Sequence, residues 1–257
     1  MWFKKVPLYY KTRSMSNALV VIPTYNEKEN IERLLRTIML LQRDFDMLVV
    51  DDNSPDGTSV LVQKLAVAFP DRIYLLKRDA KLGLGTAYIA GFKWALTRSY
   101  SYIFEMDADF SHNPKDLLRL YNACEHEDCD MAIGSRYVTG VNVVNWPMNR
   151  VLLSWGASRY VRWVTGMNID DTTAGFICYR RHVLEAINLD AIKFVGYAFQ
   201  IEMKFKTYLS KFKIKEIPVI FTDRTKGVSK MNKGIISEAI FGVLAMKLKS
   251  IFNRLEI

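Results

Sequence analysis

The stretch Ile103–Pro114, IFEMDADFSHNP, runs from apolar residues into two aspartates and then into a turn and helix-start signal. Residues two positions apart on an extended segment point to the same side, so Asp107 and Asp109 can face one divalent cation at the end of a strand. Hard oxygen ligands suit Mg²⁺ or Mn²⁺, and Mg²⁺ usually takes one or two protein carboxylates and completes its shell with phosphate and water. On this stretch alone, a solvated acidic turn before a helix is the alternative.

The chain around this stretch alternates short apolar runs with segments of helical periodicity. Such runs predict strands buried on both faces, and their alternation with helices predicts an α/β fold. We expect a Rossmann-like, mostly parallel central sheet with helices on both faces. Ligands of such sheets bind outside the carboxyl ends of the strands. The predicted strands are residues 18–22, 45–50, 72–76, 101–106 and 130–135.

Helix-start signals follow the first and fourth of these strands. Asn26 with Glu29 resembles a capping box, and Asn113 is placed to cap a helix whose first turn contains Pro114. After Val141 the simple alternation stops. The later segments are predicted as helices over 149–165 and 197–209, a strand ending near residue 179 and a strand over 213–221.

Polar residues gather where the first four predicted strands end, which is the pattern of a nucleotide site. The third strand leads into Lys77–Gly85, a basic loop with glycines that opens a helix and suits a phosphate group. Gly83-Leu84-Gly85 is not a full dinucleotide fingerprint, and the P-loop pattern is absent. These absences argue against an NAD-binding or P-loop protein.

Composition limits the partners without choosing among them. The 257 residues suit one sizeable domain, and the formal net charge of +9 favours an anionic partner: nucleic acid, a membrane surface or a phosphorylated substrate. The sparse, odd set of three cysteines argues against a disulfide framework.

The two ends of the chain differ from its middle. Residues 1–17 are basic without a continuous apolar core, so we expect an N-terminal extension and no signal peptide. Residues 229–257 read as a basic loop followed by an amphipathic helix too short in apolar residues to span a membrane. That helix either lies at a membrane surface or packs on the domain's own core. Residues 18–228 are predicted to form the single domain between them.

With these segments assembled, the sequence resembles the family-2 inverting glycosyltransferases, and among them the dolichol-phosphate (polyprenol-phosphate) mannose synthases. Eight motifs carry the resemblance, in order and at plausible spacing, from Val20 to about Met231. They are VVIPTYNEKENI, VVDDNSPDGT, KLGLGTAY, MDADFSHNP, GSRYVTG, DDTTAGFICYRR, GYAFQIEM and VIFTDRTKGVSKM.

The resemblance implies a nucleotide-sugar-binding fold of the GT-A type and a reaction. That reaction is the metal-dependent, inverting transfer of mannose from GDP-mannose to dolichyl or polyprenyl monophosphate. Mg²⁺ or Mn²⁺ is the implied cofactor, and Asp107 and Asp109 are the implied metal ligands. Some family members have Gln as a third ligand where this chain has Ser111. A third protein ligand is therefore doubtful.

The resemblance also implies the donor-binding residues. Glu27 and Asp52 suit the base and ribose because carboxylates accept hydrogen bonds from hydroxyl groups and base edges, although helix capping is an alternative role for both. The glycine loop suits the diphosphate, although a simple tight turn is the alternative there. The implied nucleotide-sugar residues are Pro23, Tyr25, Glu27, Asp52, Lys81, Gly83, Asp107, Ala108, Asp109, Arg224 and Lys230.

For the acceptor phosphate the resemblance implies Ser135, Arg136 and Arg224, and for catalysis Asp109, Arg136 and Arg224. A phosphate monoester is already largely dianionic at neutral pH, so no strong general base, catalytic His or nucleophilic Cys is expected. Guanidinium groups pair bidentately with phosphate oxygens. By the same resemblance Asp171, Thr172 and Gly175 belong to a segment near the acceptor. Gln200 and Glu202 match the family's helix that follows Gly-Tyr, where orienting the arginines is the alternative role of Glu202.

A lipid acceptor implies a protein bound peripherally at the cytoplasmic face of a membrane, by itself or through a membrane partner protein. The helix over 149–165 and the C-terminal helix are the candidate contacts, and the basic excess favours an anionic surface. Three alternatives stay open: a UDP-sugar transferase of the same fold, a basic nucleic-acid-binding protein, and a non-catalytic scaffold. The second lacks a recognisable nucleic-acid-binding module.

Overall fold

The computed structural model describes residues 16–196, 198–223 and 233–252. Within them a seven-stranded sheet forms the centre of the molecule, and a short two-stranded sheet lies apart from it. The strands are β1 Ala18–Thr24, β2 Asp46–Asp51, β3 Ile73–Lys77, β4 Tyr102–Glu105, β5 Met131–Ser135, β6 Val143–Val144, β7 Ile177–Arg180, β8 Ile214–Pro218 and β9 Phe221–Thr222.

Helices follow most of these strands. A short 3₁₀ helix, Leu189–Ala191, precedes the segment that leads into α7. The helices are α1 Lys28–Met39, α2 Thr58–Ala68, α3 Leu84–Leu96, α4 Asp116–His126, α5 Met148–Thr165, α6 Arg181–Ala186, α7 Ala198–Leu209 and α8 Lys233–Ile251.

The main sheet has the order β3-β2-β1-β4-β7-β5-β8. All neighbours pair in parallel except β7, which runs antiparallel to both β4 and β5. The prediction of a mostly parallel α/β sheet is confirmed. Because β1, β2 and β4 are parallel neighbours, the polar residues that follow them meet at one edge of the sheet.

Both faces of the sheet are covered by helices, as predicted. Alternate residues of β1 enter two separate cores: Leu19 and Val21 pack with α3, α7 and α8, whereas Val20 and Ile22 pack with α1, α2 and α4. Every one of these side chains is fully buried. This two-sided burial is the physical reason why the strand is a continuous apolar run in the sequence.

Local helix and strand ends differ from the sequence prediction. The capping box at Asn26 and Glu29 is wrong: Asn26 has a φ of 60°, and Glu27 occupies the cap position without a side-chain cap bond. Helix α4 begins at Asp116, because Asn113 closes a turn ahead of it by accepting a hydrogen bond from the amide of Lys115 (3.1 Å). The strand predicted over 213–221 ends at Pro218, and Phe221 pairs instead with β6.

Helix α8 packs on the domain's own core, where Val243 and Met246 are buried against α5 and α7. Its other side is exposed, with Phe241 at 72% and Leu248 at 55%. The buried side of α8 therefore packs on the core. Contact of the exposed apolar side with a membrane surface stays a prediction. In the described part of the chain, no helix is long and apolar enough to cross a membrane.

Candidate active site

A cavity of about 520 Å³ lies beyond the carboxyl end of β4, beside the acidic stretch Ile103–Pro114. Its polar end is lined by Asp107, Asp109 and Arg136, and its apolar end by residues of α5 and α8. Predicted metal ligands and a predicted acceptor residue therefore share one space. Ser111, Gly175 and Gln200 also line it.

The side chains of Asp107 and Asp109 line the cavity wall, and each accepts a hydrogen bond from a neighbouring residue. Tyr88, buried in the core, donates its hydroxyl to Asp107 Oδ1 (3.3 Å), and the Ser111 amide donates to Asp109 Oδ1 (3.0 Å). Ala108 between them is buried. Among the described residues no group of three or more His, Cys, Asp or Glu side chains forms a complete metal site. Two carboxylates facing an open cavity suit a hard cation whose remaining ligands come from a diphosphate and water.

A fully buried polar network lies behind this wall. Glu105, the last residue of β4, accepts hydrogen bonds from the hydroxyl of Tyr179 (2.8 Å) and from the side-chain amide of Gln200. Lys204 of α7 donates to the carbonyl of Ala174 (2.6 Å). Burial raises the pKa of Glu105 and lowers the pKa of Lys204. The network ties β4 and α7 to the loop before β7 and so fixes the wall from behind.

Arg136 is anchored by a buried carboxylate. Its Nε donates to Asp171 Oδ2 (2.7 Å) and its Nη2 to Asp171 Oδ1 (2.6 Å) and to the hydroxyl of Thr173 (2.8 Å). Burial tends to raise the pKa of Asp171, but the charge and hydrogen bonds of Arg136 outweigh it and lower that pKa below its ordinary value. The fork geometry fixes the guanidinium plane at the cavity wall.

Two aromatic groups continue this wall. The Trp146 ring lies 4.0 Å from the guanidinium carbon of Arg150 and 5.4 Å from that of Arg136. Arg150 in turn pairs with Asp223 (2.9 Å). His112 stacks on Phe176 with ring centroids 4.8 Å apart. Burial lowers the pKa of His112 to about 4, so its ring is uncharged at neutral pH.

The apolar end of the cavity lies between α5 and α8. Leu152, Leu153 and Ala157 line it from α5, and Ile240 lines it from α8. The hydroxyl of Tyr160 donates to the carbonyl of Ile240 (2.9 Å) and joins the two helices. A small polar site thus continues into an apolar space open to a hydrocarbon chain.

Two consecutive aspartates, Asp51 and the predicted donor residue Asp52, have different surroundings. Asp51 is fully buried and accepts hydrogen bonds from the hydroxyls of Thr24 (2.9 Å) and Ser54 (2.6 Å), which is a structural role. Asp52 is paired instead with Arg78 (2.9 Å), directly after β3. Burial raises the pKa of Asp52, with the charge of Arg78 acting in the opposite direction.

Other predicted donor residues lie around this pair at the ends of β1 and β3. Lys81 lies 4.3 Å from the ring centroid of Tyr25. Glu27 accepts a hydrogen bond from the side chain of Asn30 (2.9 Å), while Pro23 belongs to β1 beside Val50. Gly83 precedes α3 with a φ of 102°, a backbone conformation that favours glycine. The structure brings these residues to the edge where β1, β2 and β3 end.

Some predicted residues lie away from the cavity. The Ser135 hydroxyl is buried and accepts hydrogen bonds from the amides of Tyr137 (3.3 Å) and Val138 (3.2 Å). Thr172 is buried as well, and Thr173 rather than Thr172 lines the cavity. In the described part of the chain, Glu202 binds the backbone amides of residues 193 and 194, whereas Arg136 is held by Asp171. Arg224 and Lys230 lie outside the described residues.

Sequence reasoning missed Arg78, Trp146 and the buried pair of Glu105 and Lys204. A signal existed for two of them. Arg78 follows a strand directly, as the other polar residues of the site do, and Glu105 interrupts an apolar strand with a charge. Trp146 stands in an irregular segment, which gave no periodic pattern to place it.

Comparisons with known proteins agree with this geometry. Residues 19–187 match the model of Glycosyl transferase family 2. The chain is 46% identical to polyprenol monophosphomannose synthase of Mycolicibacterium smegmatis, over 94% of this chain and 91% of that protein. It is also 46% identical to undecaprenyl-phosphate mannosyltransferase of Micrococcus luteus, over 88% of this chain and 91% of that protein.

Solved structures of the same fold are more distant in sequence. A mannosyltransferase of Pyrobaculum calidifontis in complex with GDP-Man and Mn²⁺ has a TM-score of 0.60 at 18% identity, covering 93% of this chain and 65% of that one. Glucosyl-3-phosphoglycerate synthase of Mycobacterium tuberculosis has a TM-score of 0.61 at 15% identity, covering 93% and 79%. These likenesses support the GT-A type of fold. The chain therefore belongs to glycosyl transferase family 2 and is a glycosyltransferase.

Proposed function

We propose that this enzyme transfers mannose from GDP-mannose to a polyprenyl monophosphate with inversion at the anomeric carbon. One observation carries the proposal: a single cavity joins the carboxylates of Asp107 and Asp109, the anchored guanidinium of Arg136 and an apolar space between two helices. The two relatives named for polyprenol and undecaprenyl phosphate mannosylation support the acceptor and the sugar.

The donor binds across the ends of β1, β2 and β4. Asp52, held by Arg78, and the ring of Tyr25 with Lys81 face the nucleoside, while the turn at Gly83 receives the diphosphate. Asp107 and Asp109 would hold a divalent cation, Mg²⁺ or Mn²⁺; the GDP-Man and Mn²⁺ complex of the Pyrobaculum relative supports this choice. Bound there, the cation supplies a Lewis acid for the departing diphosphate.

The reaction needs positioning more than proton transfer. An oxygen of the acceptor phosphate forms a bond to the anomeric carbon while the bond from that carbon to the diphosphate oxygen breaks, and GDP leaves with the electron pair. The acceptor phosphate is largely ionised at neutral pH and has no proton to lose. Arg136 holds that phosphate in line, because Asp171 and Thr173 fix its guanidinium plane. Arg150, on the same wall and paired with Asp223, supplies a second guanidinium group.

The lipid of the acceptor occupies the apolar end of the cavity, between α5 and α8. Large apolar side chains of the same two helices are exposed outside the cavity, including Trp163 at 82% and Phe241 at 72%. Arg159 of α5 lies among them with its side chain 53% exposed. We infer that this face rests on an anionic membrane surface, from which the lipid phosphate enters the cavity.

A transfer assay tests this proposal. The purified enzyme is given GDP-mannose or UDP-glucose with a short polyprenyl phosphate, in Mg²⁺, in Mn²⁺ or in chelator. We expect transfer from GDP-mannose, none in chelator, and a loss of about 10²–10³-fold in Asp109→Ala, which removes a ligand of the leaving group's cation. Asp128→Ala, an exposed carboxylate at 76%, is the matched control and should keep full activity.

Two results would change the proposal. Transfer from UDP-glucose alone would replace the donor by the UDP-sugar alternative. Full activity of Asp109→Ala would contradict the metal assignment.

A further inference from the structure

The segment 193–195, between the 3₁₀ helix and α7, contacts the glycine turn at the donor site. The amide of Gly85 donates to the carbonyl of Val195 (2.9 Å). A Cβ atom added at Gly83 would lie 3.1 Å from that same carbonyl oxygen, and one at Gly85 would lie 2.8 Å from the carbonyl oxygen of Phe194. The backbones therefore approach so closely that glycines are required, and the position of one segment sets that of the other.

The buried carboxylate of Glu202 binds the backbone of this segment. Glu202 of α7 is 2% exposed, and its Oε2 accepts hydrogen bonds from the amides of Lys193 (2.9 Å) and Phe194 (3.1 Å). A charged acceptor on two consecutive amides is a strong tie. Glu202 therefore connects the core helix α7 to the turn at Gly85 through the intervening backbone.

Helix α8 contacts the same segment through the ring of Phe194. A Cβ atom added at Gly242 would lie 2.5 Å from two ring carbons of Phe194, so the ring lies directly against the helix backbone. The neighbouring side chains Val243 and Met246 are buried in the core. Phe194 thus links the glycine turn to the helix that carries the exposed apolar face.

We propose that segment 193–195 is a strap through which Glu202 and helix α8 hold the Gly83–Gly85 turn in its donor-binding position. Phe194 and Glu202 are then positioning residues for the diphosphate of the donor. The inference rests on the proposed binding of that diphosphate at the turn. It also assigns α8 a second role, since the helix that faces the membrane supports the donor site.

Gly242→Ala is the sharpest test, because it adds one methyl group against the Phe194 ring and improves the helix propensity of α8. We expect the Kd for GDP, measured by titration calorimetry with Mn²⁺, to rise about tenfold, with the KM for donor rising more than kcat falls. The double variant Gly242→Ala/Phe194→Leu makes room for the methyl group and should recover the affinity for GDP. Gly196→Ala, which meets nothing within 4 Å, is the matched control.

The carboxylate is tested independently. Glu202→Gln keeps an acceptor oxygen and should bind GDP nearly as the parent does, whereas Glu202→Leu should weaken binding about tenfold or more. Thermal unfolding of each variant shows whether it is folded. If Glu202→Leu does not fold, Gly242→Ala and the double variant Gly242→Ala/Phe194→Leu still test the proposal. Phe241→Ala, on the exposed side of α8, should weaken flotation with anionic vesicles and leave the Kd for GDP unchanged.

Unchanged GDP affinity in folded Gly242→Ala and Glu202→Leu would overturn the strap, as would a loss of acceptor affinity alone. If the parent enzyme binds UDP instead of GDP, the donor assignment fails. The same variants titrated with UDP then still test the strap, because it acts on the diphosphate.

Discussion

Two buried arginine–carboxylate pairs lie on the proposed acceptor and donor sides of the site, and the pKa values of their carboxyl groups shift in opposite directions. On the acceptor side, Arg136 is joined to Asp171 by a two-pronged interaction, and the pKa of Asp171 is lowered although burial acts to raise it. On the donor side, Arg78 contacts Asp52 at 2.9 Å, but burial dominates and the pKa of Asp52 is raised.

The difference supports our proposal for which member of each pair serves the substrate. Asp171 is fully buried and satisfied by Arg136, so the carboxylate holds the arginine and the arginine faces the cavity. Asp52 is less well compensated, which suits a carboxylate that gains further hydrogen bonds from a ligand. In the function we propose, the arginine of one pair faces the acceptor and the carboxylate of the other faces the donor.

Neutralising each carboxylate would test this contrast most directly. Asp171→Asn should lower the free energy of unfolding at pH 7 by about 3 kcal/mol, because it leaves Arg136 buried without its counter-charge. Asp52→Asn should lower it less, because burial already opposes the charged form of Asp52 and offsets part of what its pair with Arg78 contributes. Urea unfolding of both variants at pH 7 measures the two effects.

The loss of unfolding free energy expected in Asp171→Asn depends on pH in a defined direction. Asp171 has a lowered pKa in the folded state, so its stabilising contribution is complete above its ordinary pKa of 3.8 and is lost as the pH falls through the lowered value. The difference between parent and Asp171→Asn should therefore shrink below about pH 4. Equal loss of stability in both variants at pH 7 would contradict the comparison.

The acceptor arginine is probed by Arg136→Lys, which keeps the charge but loses the planar fork. We expect kcat/KM for a short polyprenyl phosphate to fall about 100-fold, equivalent to about 2.7 kcal/mol, while the Kd for GDP is unchanged. Steady-state kinetics with the acceptor varied, together with calorimetry of GDP, separates the two. A change confined to donor binding would refute the acceptor role.

Arg78, on the proposed donor side, should give a smaller effect, on donor kinetics instead of acceptor kinetics. Arg78→Lys loses the contacts with Asp52 and with the Thr86 hydroxyl (2.9 Å), and the KM for GDP-mannose should rise about tenfold with acceptor kinetics unchanged. Arg119→Lys, in a half-exposed pair with Asp116, is the matched control and should have no measurable effect. If Arg78→Lys altered the acceptor KM instead, the two pairs would not serve separate substrates.

Much of the fold was predictable because its signals are local. The strand Ala18–Thr24 begins with a continuous apolar run from Ala18 to Ile22, since both of its faces are buried. The polar residues that follow such runs mark the ligand edge. The helix cap at Asn26 was predicted wrongly. Asn26 has a positive φ, and its amide donates a hydrogen bond to the hydroxyl of Ser54. The spacing of Asn26 and Glu29 along the chain carries no information about this contact with a distant loop.

The sequence by itself determined the alternation of strands and helices as far as β5, the family resemblance and the placement of Asp107 and Asp109 after a strand. Only the tertiary structure decided that Arg136 pairs with Asp171, 35 residues away, that Arg78 rather than a nearby lysine holds Asp52, and that α8 both packs and stays exposed. The reason is physical. Periodicity and turn chemistry act within a few residues, whereas a buried ion pair or a cavity exists only after the order of strands in the sheet brings distant segments together.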